Sequence, residues 1–186
     1  MERIGRQDYM FRKLSEDQMF EVMKNLAYAF NWGWLKSERL AIEKYGLEVF
    51  LGQEFLGLFR EFGSRQCRKL LELSVVSGTD ADSVIRGLKL SHWALFENVE
   101  LTKTSDEVVR MRTVNCSLQS YAKKKLGTVY PCKNLHFALE ARKGFVKTIN
   151  ARATVECAFS PPDPKPKNIS ENVSCEWIIR VPNQQK

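Results

Sequence analysis

Two hydrophobic rhythms run along this chain. In its first third, apolar residues recur at three- and four-residue steps. Met19, Val22, Met23, Leu26, Phe30 and Trp34 fall on one stripe, the spacing of an amphipathic helix. Ser15, followed by Glu16 and Asp17, suits an N-cap with acids in the first turn. The pattern predicts a second helix from Ser37 to about Tyr45, interrupted at Gly46. It predicts a third carrying Phe55, Leu56, Phe59 and Phe62 and continuing towards Leu70 and Leu71, with Gly63-Ser64 as a place for a kink or break.

From about His92 the step shortens to two. Trp93, Leu95, Val99 and Leu101 alternate with mostly polar neighbours. After Thr104-Ser105-Asp106 a second run carries Val108, Val109, Met111 and Val114. This reads as a β-hairpin. Glu97 falls on the apolar face of the first strand, and since acids are seldom buried without partners, a bulge is expected to turn it outward. Residues 117–126 read as a short basic helix capped by Ser117 and ended by Gly127. Asn134 is expected to cap another helix, reaching about Phe145 through Leu135, Ala138 and Ala141. Val155, Cys157 and Phe159 alternate as a third strand, and Cys175, Trp177, Ile179 and Val181 as a fourth. The proline-rich stretch 160–166 between them cannot be a central strand and reads as a semi-rigid loop.

Helices followed by strands indicate an α+β fold. The expected arrangement is one domain over 1–186. A mainly helical part, 1–91, packs on an antiparallel sheet of about four strands in 92–186, with two short helices intervening. A length of 186 residues suits one domain, or one with a helical extension. No run approaches the roughly 18 apolar residues of a membrane span, and the charged start lacks a secretory h-region. Five cysteines, an odd number, then fit reduced thiols in a cytoplasm.

Charge adds a local feature. Segment 117–152 holds eight Lys and Arg residues against one acid, Glu140, and so accounts for the whole net charge of +7. Such a segment attracts anions. No helix-turn-helix, zinc-finger or RNA-recognition signature accompanies it, so nucleic acid is not the expected partner.

Three kinds of chemistry suit these residues. The first is a thiolate metal site: Cys132, Cys157 and Cys175, with Cys116 or His136, supply ligands for Zn or Fe. Their spacings of 16, 25 and 18 residues form no tight knuckle, and small buried apolar thiols are the plainer reading. The second is nucleophilic catalysis, with Cys132 attacking and His136, four residues on, shuttling the proton. The third is ligand binding, with Lys147 and Arg152 holding the anionic group of a small molecule. A basic face presented to a macromolecule in an assembly is a further alternative.

The second half also resembles an uncharacterised prokaryotic family known only as a domain of unknown function. The resemblance rests on Cys116-Ser117-Leu118-Gln119, Tyr130-Pro131-Cys132-Lys133, residues 145–152, Val155-Glu156-Cys157, Pro161-Pro162-Asp163-Pro164 and Cys175-Glu176-Trp177, across roughly 110–180. That family carries Cys-x-x-Gln, Pro-Cys-Lys, Ile-Asp-Pro-Arg, Cys-x-x-Cys-Pro-Pro-Asp and Cys-x-Trp. Here Ser160 stands at the second Cys of the Cys-x-x-Cys, Asn150-Ala151 at Asp-Pro, and His136 at a Gly. More distantly, the architecture resembles 4-vinyl-reductase-type ligand-binding domains and 2-amino-thiazoline-4-carboxylate hydrolase-like proteins. That resemblance implies a helix-covered antiparallel sheet, a small-molecule site, a homodimer and, as an alternative function, a small hydrolase or lyase with a Cys nucleophile.

Overall fold

The computed structural model describes residues 13–183. The chain falls into two compact units, dividing between Glu43 and Lys44. Helix α1, Glu16–Tyr45, makes up most of the described part of the first. Its start is a reciprocal capping box: Gln18 N–H donates to Ser15 Oγ (3.2 Å), and Ser15 N–H to Gln18 Oε1 (2.9 Å). The separate helix expected from Ser37 does not exist. The Ser37 hydroxyl donates back to the Gly33 carbonyl one turn earlier (3.0 Å), leaving α1 continuous through that point. Gly46, at φ 82°, follows its end.

The second unit holds the remaining elements. A 3₁₀ turn, Leu47–Phe50, precedes α2 (Gln53–Glu72), α3 (Ala81–Lys89) and the one-turn α4 (His92–Phe96). Strands β1 (Asn98–Ser105) and β2 (Val108–Val114) follow, then α5 (Ser117–Tyr121), a π turn at Ala122–Leu126, α6 (Cys132–Leu135), α7 (Phe137–Ile149), β3 (Thr154–Phe159) and β4 (Val173–Arg180). The fold is α+β, with one antiparallel sheet in the order β1-β2-β4-β3.

Register sets the faces. Met111 lies opposite Trp177, Val109 opposite Ile179 and Val155 opposite Ile179. These side chains form one core with Val84 and Leu88 of α3, Trp93 of α4, and Phe145, Val146 and Ile149 of α7. A bulge between Cys157 and Phe159 sets Phe159 opposite Glu176. Phe159 therefore leaves the core face and joins Val114, Val173 and Ile169 in a small second cluster. On that outer side Arg112 grips Glu176 at 2.5 Å.

Helix α7 packs both on the sheet and on α2. Its crossing with α2 is a reciprocal glycine contact. A methyl at Gly63 would stand 1.9 Å from the Ala141 carbonyl oxygen, and one at Gly144 would stand 1.9 Å from that of Arg60. Gly63 thus lets two backbones touch, and α2 runs unbroken through it. Around the contact Ser64 and Thr148 share a hydrogen bond (2.9 Å), and Arg60 meets the buried Glu140 at 2.5 Å.

Two other local expectations are corrected. Trp93 does not begin a strand: it sits on α4, edge-on to Phe145 at 5.7 Å, and β1 starts only at Asn98. A pair of alternating apolar residues cannot separate one helical turn from a strand. Helix α7 begins at Phe137, after His136 at φ 55°, rather than being capped by Asn134.

Candidate functional site

The thiols reach one end of the sheet by different routes. Cys175, on β4 opposite Thr113, and Cys157, on β3 opposite Trp177, share the core-facing side through their common relation to Trp177. Cys116 follows β2 where Asn115, at φ 51°, turns the chain into α5. Cys132 opens α6. Its loop is tied down by Gln119, whose amide donates to the Tyr130 carbonyl (2.8 Å) and accepts from the Tyr130 N–H (3.1 Å). The same amide donates to the Cys132 sulfur at 3.1 Å. On the other side, Lys133 N–H donates to the Pro161 carbonyl (2.9 Å), and its ammonium bonds Asp163 at 2.5 Å. The proline-rich turn is thereby latched to α6.

Electrostatics shows that the thiols share a neighbourhood. Burial pushes Cys116 up to about 11, helped by the charge of Glu97 and by Cys175. Burial raises Cys132 further, with Cys116 and Cys175 adding to it and the Gln119 bond opposing. Cys157 rises to about 11 through burial and Cys175, against the pull of Lys133 and Arg142. The Cys175 thiol thus acts electrostatically on each of the other three. Cys67, on α2, differs: burial alone lifts it to about 11, as for a plain core thiol. Among the described residues, no three Cys, His, Asp or Glu side chains form a ready-made metal cage.

Beside the thiols lies an ion pair. Arg142 of α7 is 2% exposed, its guanidinium stacked 4.7 Å from the Trp93 ring centre and 4.4 Å from that of Trp177. Glu97 faces inward, correcting the outward expectation. It accepts from the Thr113 hydroxyl (2.8 Å) and stands 3.7 Å from Arg142 Nη2. A partner from a helix distant in sequence makes the inward acid tolerable. Arg142 was hidden in the basic segment, although it lies four residues after Ala138 on the inward stripe of α7.

The other nominated residues lie apart. Lys147 and Arg152 are exposed, and the Arg152 guanidinium donates to the Asn183 carbonyl. Arg152 follows the C-terminal end of α7, whereas Cys132 precedes its N-terminal end, so a helix about 20 Å long separates them. Asn150 is buried and holds the backbone there, donating to the carbonyls of Thr79 (2.8 Å) and Pro182 (2.9 Å). His136 is exposed. Cys132 has an amide rather than a base as its described donor, and its raised thiol is poorly ionised at neutral pH.

A family model matches residues 12–180, spanning the helical half as well as the cysteine motifs. The chain belongs to DUF6125, a family of unknown function. No curated protein and no solved structure matches it. Among the described residues, no helix is long and apolar enough to cross a membrane.

Proposed function

We propose that this DUF6125 chain is a binding module whose thiol corner takes a soft or borderline metal cation, zinc foremost and iron second, with Cys116, Cys132, Cys157 and Cys175 as ligands. The supporting observation is that Cys157 and Cys175 lie on the core-facing side of adjacent strands, while Cys116 N–H donates to Ser174 beside Cys175 (3.2 Å) and Lys133 N–H ties the Cys132 turn to Pro161 just beyond β3 (2.9 Å). Four thiolates are a donor set that zinc accepts as a tetrahedron. Two ligands lie on strands, Cys116 caps the start of α5 and Cys132 opens α6. Gln119 plays the supporting part, since an N–H donor orients a thiolate and tempers its charge. This reading places the protein in a reducing cytoplasm, where such thiols stay available. The wider resemblance adds a small-molecule ligand and a homodimer as expectations.

Binding must displace protons, because burial raises the thiols of Cys116, Cys132 and Cys157 and keeps them protonated at neutral pH. Affinity should therefore climb steadily as pH rises through neutrality. The test is elemental analysis of protein purified under reducing conditions, followed by cobalt substitution. About one zinc or iron per chain, a sulfur-to-cobalt charge-transfer band and loss of both in Cys132→Ser support the proposal. A folded protein that retains neither metal and gives no such band with added cobalt overturns it.

A further inference from the structure

Arg142 is a buried charged group only partly satisfied by its neighbours. Its Nη1 donates to the Ala138 carbonyl at 3.1 Å, one turn back on α7. Its Nη2 only approaches Glu97, at 3.7 Å. Its Nε is buried with no hydrogen-bond partner, and so is the indole Nε1 of Trp177, against whose ring the guanidinium lies. Two buried donors thus go unanswered within one stack. Leaving them so is costly, because each has lost its water. The indole walls also lower the local dielectric and strengthen any charge interaction made there.

The chemistry of the missing acceptor follows from the unpaired edge of the buried guanidinium. Nε and Nη2 form the side of a guanidinium that matches the two oxygens of a carboxylate. Glu97 already brings a carboxylate to the rim of that edge but stops short of it, held by Thr113. At 24% exposure, the Glu97 side chain also borders solvent. We infer that the Nε–Nη2 edge of Arg142, with the indole N–H of Trp177, is a subsite for the carboxylate of a small organic acid, and that Glu97 is the internal group such a ligand displaces. Cys157 stands directly opposite Trp177 across β3 and β4, beside this subsite. A bound acid would therefore present its remaining atoms to the thiol corner. The inference rests on unpartnered donors and stands whether or not those thiols take a metal.

The experiment is a titration of the intact protein with acetate, followed by nitrogen-proton NMR of the arginine Nε and tryptophan indole groups. Acetamide serves as the uncharged control and chloride as the ionic control. Acetate should shift the Arg142 and Trp177 signals saturably, and neither control should. Glu97→Gln removes the competing carboxylate and should tighten acetate binding severalfold. Arg142→Lys keeps the charge but loses the fork, and should weaken binding roughly tenfold. Trp177→Phe retains a ring and should weaken it about threefold, which keeps the test open if Arg142→Lys fails to fold. Shifts that merely follow ionic strength, equal shifts with acetamide, or a water cross-peak persisting on Arg142 Nε at high acetate would overturn the proposal. The last result would assign the donors to a structural water.

Discussion

Replacing Gly63 by alanine probes the crossing of α2 and α7 with a single methyl group. That methyl would lie 1.9 Å from the Ala141 carbonyl oxygen, 2.9 Å from its carbon and 3.0 Å from the Phe145 nitrogen. All three are backbone atoms, so no side chain can swing aside, and the helices must part until the closest contact exceeds 3.0 Å. Overpacking of this kind costs about 1–3 kcal/mol. Strain on the Ser64–Thr148 bond next to it adds about 1 kcal/mol. The better helix propensity of alanine returns about 1 kcal/mol. The net loss is about 1–3 kcal/mol, or roughly 3–10 °C in Tm for a domain of this size. Gly57 supplies the control, since it lies on the same helix with nothing within 4 Å of an added methyl. Gly57→Ala should hold or raise Tm. Thermal melting followed by circular dichroism reads both variants. If Gly63→Ala melts with or above Gly57→Ala, the backbone contact is not what joins these helices.

Acid should weaken the fold through His92, whose ring is packed between Phe62 and Trp93. Burial, and secondarily the charge of Arg142, lower it from 6.5 to about 3. The unfolded chain thus binds a proton that the folded one refuses. This contribution is fully present above pH 6.5 and drains away as pH falls towards 3. Urea titrations should show about 2 kcal/mol less stability at pH 5 than at neutrality from this group, and His92→Gln should flatten that slope. Asn150→Ala strands the carbonyls of Thr79 and Pro182 and should cost about 2–3 kcal/mol in the same assay. An unchanged midpoint would mean that neither bond matters to stability.

The sequence made the sheet legible because strand alternation was long enough to count: β2 places Val109 and Met111 inward, and β4 places Trp177 and Ile179 inward, at every second position. The helical starts at Ser15 and the stop at Gly127 were legible through capping chemistry. What escaped notice depended on contacts between distant segments. Gly63 read as a weak point because the glycine contact it makes lies some eighty residues away. Glu97 read as misplaced because its partner, Arg142, was counted as one surface charge among eight. Parity placed Cys157 and Cys175 on one face. Only the turn at Asn115 and the Gln119 clamp, which no periodicity reveals, bring Cys116 and Cys132 to them. The basic excess is likewise partly met by partners within the chain, Glu97 and Glu140 in the interior and Asp163 and the Asn183 carbonyl at the surface.

The place of β4 bears on how the molecule is made. It is the last strand in chain order, yet it lies inside the sheet with β2 on one side and β3 on the other. A growing polypeptide can close the β1–β2 hairpin early, but β3 has no strand to pair with until residues 173–180 have left the ribosome. Cys116, Cys132 and Cys157 are synthesised well before Cys175, so for that interval the nascent chain carries three of the four thiols at this end of the sheet and lacks the strand that holds the last.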